Sequence, residues 1–312
     1  MMSQIANRLL ISIPVLFGVL VLGFGLLILV PGDPAIVMAG PTASPDVVAA
    51  VREEMGLDEP VVVQFFSYLG RVLQGDLGRS LISNKTVLSE LLAAIGPTAE
   101  LMFACLIWSV PLGIALGTLA AVFRGGLIDR AIMAFSVAGV SLPIFFICLM
   151  MIQFFGVKWQ LLPFIGRGGP LWTVEGLRHI ALPALSLGAI FIGPVARMTR
   201  SSVLEVLKLD HVRTARAKGL SETRVILRHG LRNALIPVIT LIGLQAGYLV
   251  GGAVVTESIF SYPGIGRLAV GAILSSDFPL AQGAILILAL GFILINLIVD
   301  ILYALLDPRV QT

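Results

Sequence analysis

Six apolar intervals alternate with polar stretches along the 312-residue chain. They cover residues 9–30, 98–122, 131–155, 179–196, 236–257 and 280–305. Each is close to the ~20 residues that an α-helix needs to cross the hydrocarbon core of a bilayer. The pattern therefore predicts an all-α integral membrane protein with six transmembrane helices.

The first interval, residues 9–30, predicts a retained span and not a cleaved signal peptide. Its 22 residues exceed the ~7–15 apolar residues of a signal-peptide core. No pair of small residues at cleavage-site spacing follows it. Residues 1–30 are therefore interpreted as an N-terminal transmembrane helix.

Residues 31–97 are polar enough for a water-exposed region and contain repeated helix-start signals. A capping residue precedes a proline at three points, and glycines mark the helix ends. The start signals are Asp33 with Pro34, Ser44 with Pro45 and Asp58 with Pro60, and the glycines are Gly56 and Gly75. The last helix has one apolar face, composed of Val61, Phe65, Leu69, Val72 and Leu73. We expect these short helices to lie against the surface of the membrane domain.

Composition supports the membrane assignment. The chain is 57% hydrophobic and 12% charged, with a mean hydropathy of +1.00, whereas soluble domains have roughly 25% charged residues. The pI near 9.1 does not indicate nucleic-acid binding, because basic loops beside spans usually record orientation. Cys105 and Cys148 lie in apolar runs and are predicted to be buried free thiols.

Residues 197–232, here called the basic segment, carry nine basic and three acidic residues and thus a net charge of +6. The whole chain is only +3, so the remainder is negative. Positive loops stay in the cytoplasm, which predicts cytoplasmic termini and an extracytoplasmic region at residues 31–97. We interpret the basic segment as a surface for a cytoplasmic partner, with an interfacial helix on anionic lipid as the alternative.

Within the basic segment, the composition predicts a helix over residues 210–218 that Gly219 ends. Ser221 is the expected N-cap of a second amphipathic helix that runs to Asn233. Ala215 and Gly219 are small and one turn apart, which suits close docking into a protein groove. The two expected stripes of the second helix are Leu227, Leu231 and Leu235, and Arg224, Arg228 and Arg232.

Small residues recur at helix-packing spacing in two spans. The fifth span has Gly243, Gly247 and Gly251, with Gln245 between them, and the second span has Gly113, Gly117 and Ala121. The residues of the fifth span are candidates for helix packing or for lining a pathway. Two interpretations remain open, namely packing within this bundle and contact with a second copy or a paralogue.

No catalytic constellation is recognisable. His179, His211 and His229 are too scattered for a metal site, and no glycine precedes a lysine as a phosphate-binding loop requires. The chain is therefore predicted to be no enzyme and to bind no cofactor, so any ATP is used by another chain. The few carboxylates in or near the spans, Glu100, Glu257 and Asp300, favour structural hydrogen bonding, although a proton-coupled carrier is an alternative.

Residues 213–219 and 228–234 together resemble the EAA loop of permeases from binding-protein-dependent ABC transporters, in particular the dipeptide/oligopeptide branch. Arg213 and Thr214 replace the Glu and first Ala of the general motif, and Arg232 replaces its Pro, as in that branch. Further pieces match in order and spacing over nearly the whole chain. They are residues 31–34, 56–60, 75–78, 98–101, 262–267 and 307–309.

The resemblance implies the type I importer permease fold, with residues 98–312 as the permease domain and residues 197–235 as its cytoplasmic coupling loop. Its partners would be a second permease subunit in a heterodimer, two ATPases that bind ATP and Mg²⁺, and an extracytoplasmic binding protein. Residues that would contact the ATPase are Asp210, Arg213, Thr214, Ala215, Arg216, Ala217, Lys218, Gly219, Leu220 and Ser221. The branch transports short peptides, which we favour, and also glutathione, nickel complexes, opines and oligosaccharides.

The predicted topology is directly testable by cysteine labelling in intact cells. A cysteine introduced at Ser83 is expected to react with a membrane-impermeant maleimide, because residues 31–97 are placed outside. A cysteine at Lys218 is the matched control and is expected to react only after the cells are permeabilised. Protection at position 83 in intact cells would contradict the topology.

Overall fold

The computed structural model describes residues 2–29, 33–40, 43–54 and 56–306, in which the regular elements are helices joined by turns and loops, apart from one isolated bridge between Arg79 and Thr86. Two compact units are formed. The larger comprises Glu100–Phe260 and Leu294–Thr312, and the smaller comprises Met2–Ala99 and Ser261–Ile293. Residues 31–32 and 307–309, which contribute to the family resemblance, lie outside the described residues.

Thirteen α-helices, α1 to α13, follow one another in the described residues. Their bounds are α1 Met2–Leu29, α2 Pro34–Ala39, α3 Pro45–Glu54, α4 Val61–Leu73, α5 Val87–Val122, α6 Leu127–Ser141, α7 Ile144–Met151, α8 Val174–Val206, α9 Asp210–Ala217, α10 Glu222–Arg224, α11 Arg232–Ile259, α12 Ile265–Leu274 and α13 Phe278–Leu306. Two π-helical segments, Ile152–Lys158 and Val225–Leu231, extend α7 and join α10 to α11.

Four helices in the described residues are long and apolar enough to cross a membrane. They are Val87–Val122, Val174–Val206, Glu222–Ile259 and Phe278–Val299, which correspond to the second, fourth, fifth and sixth predicted spans. The first predicted span forms α1, whose described apolar stretch, Leu10–Gly25, is shorter. The bent pair described next could form one further span, and the total of six stays a prediction.

The third predicted span is not one continuous helix. It is broken between α6 and α7, and the two halves are bent by 103°. Leu142 and Pro143 adopt extended backbone with ψ of 129° and 143° at the break. The reason is local, since a proline disfavours helical conformation in the preceding residue and has no N–H to donate.

Helix-start signals in the smaller unit are confirmed with one correction. Asp33 caps α2 by accepting a hydrogen bond from the Ala35 amide at 3.0 Å, and α3 begins at Pro45. Pro60, and not Asp58, occupies the N-cap position of α4. Gly56 and Gly75 have positive φ after the preceding helices, as expected of glycines that end them.

The apolar face of α4 packs against α1, within the smaller unit. Phe65, Leu69 and Val72 contact a cluster that contains Leu20 and Phe24. Val61 and Leu73, which the sequence assigned to the same face, are exposed instead. α4 therefore contacts α1 through the central residues of its apolar face, whereas the two ends of that face are exposed.

Glycines on α5 bring its backbone against α8. A Cβ at Gly113 would lie 2.8 Å from the Val195 side chain, and one at Gly117 would lie 2.4 Å from the Ala196 carbonyl oxygen. Ala121, the next small residue of the row, is buried. The interpretation as packing within this chain is thus confirmed for the row on the second span.

Glycines on α8 make the reciprocal contacts. A Cβ at Gly188 would lie 2.5 Å from the Trp108 ring of α5, and one at Gly193 would lie 2.5 Å from the Ser136 carbonyl oxygen of α6. The Trp108 indole donates a hydrogen bond to the Ala184 carbonyl at 3.0 Å. α8 is 67% buried over its apolar window, the largest share among the candidate spans of the described residues. It is therefore the central helix of the larger unit.

Close packing at Gly117 predicts a large penalty for one added methyl group. Gly117→Ala is expected to destabilise the protein by roughly 1–3 kcal/mol, because the obstructing atoms include the backbone of α8. Gly96→Ala on the same helix has no atom within 4 Å of the new Cβ and is the matched control. Thermal unfolding of the detergent-purified chain measures both. Equal melting temperatures would contradict the tight contact.

Candidate functional site

The basic segment continues α8 and leads into α11 through two short helical pieces. α9 ends at Ala217, and Gly219 follows in the left-handed region with φ of +74°. Ser221 stands at the N-cap of α10 with extended backbone, although its side chain makes no capping hydrogen bond. The predicted helix, glycine turn and second helix are thus confirmed, with Ser221 in position but not capping.

The second helix differs from the prediction in its length and periodicity. It does not end at Asn233, because the π-helical segment Val225–Leu231 passes directly into α11. A π-helix has more residues per turn than an α-helix, so the expected leucine stripe is broken. Leu227 is exposed, whereas Leu231 packs against buried Ala234 and Val203.

Ala215 lies inside the basic segment and not on its surface. It is 6% exposed and forms a small core with Val212 and Val225. The prediction that Ala215 belongs to an exposed docking edge is therefore wrong, because its methyl group packs the two short helices together. Gly219 is exposed, and a Cβ placed there would meet no atom within 4 Å.

An ion pair across the glycine turn joins α9 to α10, and sequence analysis missed it. Arg216 donates to both carboxylate oxygens of Glu222, at 3.1 and 2.6 Å. Hydrogen bonding to Glu222 raises the pKa of the Arg216 guanidinium. Asp210 and Arg213 also approach each other, at 3.5 Å, but both side chains are largely exposed.

The remaining predicted contact residues form a polar, mostly exposed surface. Asp210, Arg213, Thr214, Arg216, Ala217, Lys218, Gly219 and Ser221 are exposed, and Leu220 is half-buried. The Thr214 hydroxyl donates to the Asp210 carbonyl within α9. The surface combines positive charge with a tight turn and suits protein docking, but none of these groups is arranged for bond-breaking chemistry.

A second ion pair, also missed from the sequence, lies at the root of the basic segment. Arg200 near the end of α8 donates to both oxygens of Asp129 in the first turn of α6, at 2.6 and 2.7 Å. The Asp129 carboxylate also accepts the Gly125 amide at 2.8 Å. Seventy-one positions separate the two side chains, so no local pattern indicates their contact.

The glycines of the fifth span do not share one environment. A Cβ at Gly243 would lie 2.0 Å from the Val299 side chain, so this position packs α11 against α13 within the larger unit. Gly247 is buried and Gln245 is half-buried. Gly251 is exposed, and a Cβ added at this glycine would have no atom within 4 Å. Packing within the chain is therefore established for Gly243, and a pathway role for the four residues stays a prediction.

The membrane carboxylates differ from one another. Glu100 accepts two hydrogen bonds from Arg167, at 3.0 and 2.7 Å, which agrees with the structural role expected of it. Glu257 lies two residues before the end of α11 at Ile259, and its side chain is fully buried. The side chain of Asp300 lies outside the described residues.

Cysteines and metal-binding residue types give no further site among the described residues. Cys105 and Cys148 are free and buried, as predicted. In the parts of the chain that the structure describes, no group of three His, Cys, Asp or Glu side chains is placed to hold a metal ion.

Comparison with known proteins identifies the class to which these features belong. Residues 113–312 match the family "Binding-protein-dependent transport system inner membrane component", and residues 1–101 match the N-terminal family of the same membrane components. The chain is 45% identical over 311 residues to the glutathione transport system permease protein GsiC of Salmonella choleraesuis (strain SC-B67), covering 100% of this chain and 99% of that protein. GsiC of Escherichia coli (strain K12) is 44% identical over the same length and coverage.

Solved structures agree with this fold. An inward-facing form of the MetNI methionine ABC transporter matches with a TM-score of 0.58 at 18% identity, covering 70% of this chain and 96% of that chain. A second crystal form of the same transporter gives a TM-score of 0.57. The present chain belongs to the inner-membrane components of binding-protein-dependent transport systems. It is a multi-pass permease subunit of an ABC importer with the type I fold, a transport component and not an enzyme.

Proposed function

We propose that this permease subunit forms, with a second homologous permease, the path by which short peptides cross the cytoplasmic membrane into the cell. Glutathione, a tripeptide, is the first candidate substrate. The observation that carries this proposal is the 45% identity to a glutathione permease over essentially the full length of both chains. The peptide-branch form of the EAA loop at residues 213–219 supports the same substrate class.

The proposed complex contains two ATPase subunits and an extracytoplasmic binding protein. ATP and Mg²⁺ belong to the ATPases, and this chain contributes no cofactor ligand of its own. The termini and the basic segment face the cytoplasm, and residues 31–97 face the side from which the binding protein delivers substrate. The excess of basic residues in the segment supports this orientation.

The exposed turn around Gly219 is proposed as the part of the basic segment that enters the ATPase. It lies at the tip of the segment, flanked by exposed Lys218 and Ser221. Closure of the ATPases would move the turn, and the ion pair between Arg216 and Glu222 would make α9 and α10 move with it. Such rigid displacement of packed helices is a common route between two conformations.

Substrate-stimulated ATP hydrolysis tests the proposed function. The complete complex, reconstituted in lipid with its binding protein, is expected to hydrolyse ATP faster when glutathione or a dipeptide is added. Nickel ions and an oligosaccharide are the comparison substrates and are expected to give no stimulation. Uptake in cells should survive a protonophore and stop on ATP depletion. Uptake that stops with the protonophore while ATP is maintained would favour a proton-coupled carrier.

The docking turn is tested at Gly219. Gly219→Asp is expected to leave the chain folded, because the new side chain meets no atom of this protein, and to abolish stimulation by adding bulk and charge at the interface. The positive φ costs a non-glycine residue about 1 kcal/mol. Gly219→Asn is the matched control, because it adds a side chain of similar size without the charge and Asn tolerates left-handed backbone. Its stimulation of ATP hydrolysis is expected to lie between those of the wild type and Gly219→Asp.

Charge alone is expected to matter less at this surface. Arg224→Gln on the exposed α10 should reduce stimulation only slightly, since an exposed ion pair contributes ~0–1 kcal/mol. Co-purification of the ATPase subunits with each variant separates loss of assembly from loss of coupling. Full stimulation in Gly219→Asp together with loss of stimulation in Arg224→Gln would show that the segment is held by charge and not by close docking.

A further inference from the structure

The ion pair between Asp129 and Arg200 is largely shielded from solvent and has two short hydrogen bonds. Its side chains are 5% and 26% exposed, and two parallel N–H···O contacts of 2.6 and 2.7 Å join them. Charge-assisted hydrogen bonds in this bidentate geometry are strong and fix the orientation of both partners. The Gly125 amide holds the carboxylate from a third direction, so Asp129 has little freedom to turn.

The pair joins two helices at the level where the basic segment begins. Arg200 lies six residues before the end of α8 at Val206, about 9 Å along the helix at 1.5 Å per residue. One turn earlier, Gly117 of α5 packs against the Ala196 carbonyl. α8 is therefore held at this level by steric contact with α5 and by hydrogen bonds to α6.

Apolar packing continues from this level into the basic segment. Val203 of α8 is fully buried in a cluster with Ala121 and Ala234. Leu207 packs against both this cluster and the core that contains Ala215. The two clusters thus share Val206 and Leu207, so the short helices of the basic segment are packed onto the end of α8.

At its other end, α6 stops at the break before α7. Asp129 is in the first turn of α6, and Leu142 and Pro143 follow its last residue, Ser141. The chain bends by 103° there. α6 is therefore attached to the root of the basic segment at one end and to a sharp bend of the membrane region at the other.

We infer that Asp129 and Arg200 are positioning residues that transmit movement of the basic segment from α8 to α6 and its bend. Packed apolar helices can shear past each other by small steps, whereas a bidentate ion pair fixes their register. Without the pair, α8 would move while α6 stayed in place. This inference rests on the proposed function, because it assumes that ATPase partners move the segment.

The alternative explanation is that the ion pair only stabilises the fold. A double variant that removes both charges distinguishes this explanation from transmission of movement. Asp129→Asn keeps the acceptor for the Gly125 amide, and Arg200→Met keeps an unbranched stem without its charge. Removing both buried charges together avoids the large penalty of leaving one of them unpaired. Glu175→Gln with Arg178→Met is the matched control, since this pair lies at the opposite end of α8, is half exposed and is 3.8 Å apart.

The experiment measures melting temperature, ATPase co-purification, basal hydrolysis and stimulation by binding protein with glutathione, all on the reconstituted complex. The Asp129→Asn/Arg200→Met variant is expected to assemble and keep basal hydrolysis but to lose stimulation about fivefold or more, the lower end of usual couplings between sites. The control should keep wild-type stimulation. An assembled double variant with wild-type stimulation would overturn the inference.

Arg200→Lys decides the matter if the double variant fails to assemble. It keeps the buried charge but cannot form the two parallel hydrogen bonds. Stimulation is expected to fall about fivefold in this variant too, again at the lower end of usual couplings. The melting temperature should stay near that of the wild type. Unchanged stimulation would overturn the inference. If the wild-type complex responds to no peptide, the proposed function fails, and the inference fails with it. If the wild type responds and the variants respond equally, only the inference fails.

Discussion

Close approach of helix backbones around α8 is the constraint on which the larger unit depends. Between lipid-facing helices there is little hydrophobic driving force, so association relies on contacts that small residues permit. Gly113 and Gly117 on α5 and Gly193 on α8 each leave no space for a side chain. Because the obstructing atoms at Gly117 and Gly193 are backbone oxygens, no rotamer change on the neighbouring helix could relieve a larger residue there.

This packing determines how α8 would respond if a partner displaced the basic segment. Contacts with α5 hold α8 by shape, because Gly113 and Gly117 let the two helices approach closely. The ion pair to α6 resists sliding as well, because its two hydrogen bonds lose their geometry within a fraction of a turn. Shape and hydrogen-bonded charge therefore both hold α8, and both act within about three turns of its end at Val206.

Local signals predicted much of the fold. The apolar intervals identified the long helices, and Asp33, Pro45 and Gly219 marked helix starts and a turn where the structure has them. Sequence analysis did not predict the break before α7 at Pro143, and a proline alone would not have indicated it, because α8 continues through Pro183 and Pro194. Burial of Ala215 and the pairing of Asp129 with Arg200 depend on contacts between separate helices, which neither periodicity nor spacing encodes. The family motif points to residues 213–219 and 228–234 but does not reveal which of them face inwards.

The charge of the basic segment has more than one physical use. Arg200 is paired within the bundle, and Arg216 is paired across the glycine turn, so these two shape the structure through hydrogen-bond geometry. Lys218 and Arg224 lie exposed on either side of the glycine turn, where long-range attraction can steer a partner. A net charge of +6 is therefore a poor guide to function by itself. The bidentate arginine pairs fix helix geometry on either side of the exposed turn, and this is the property that the proposed docking at that turn would require.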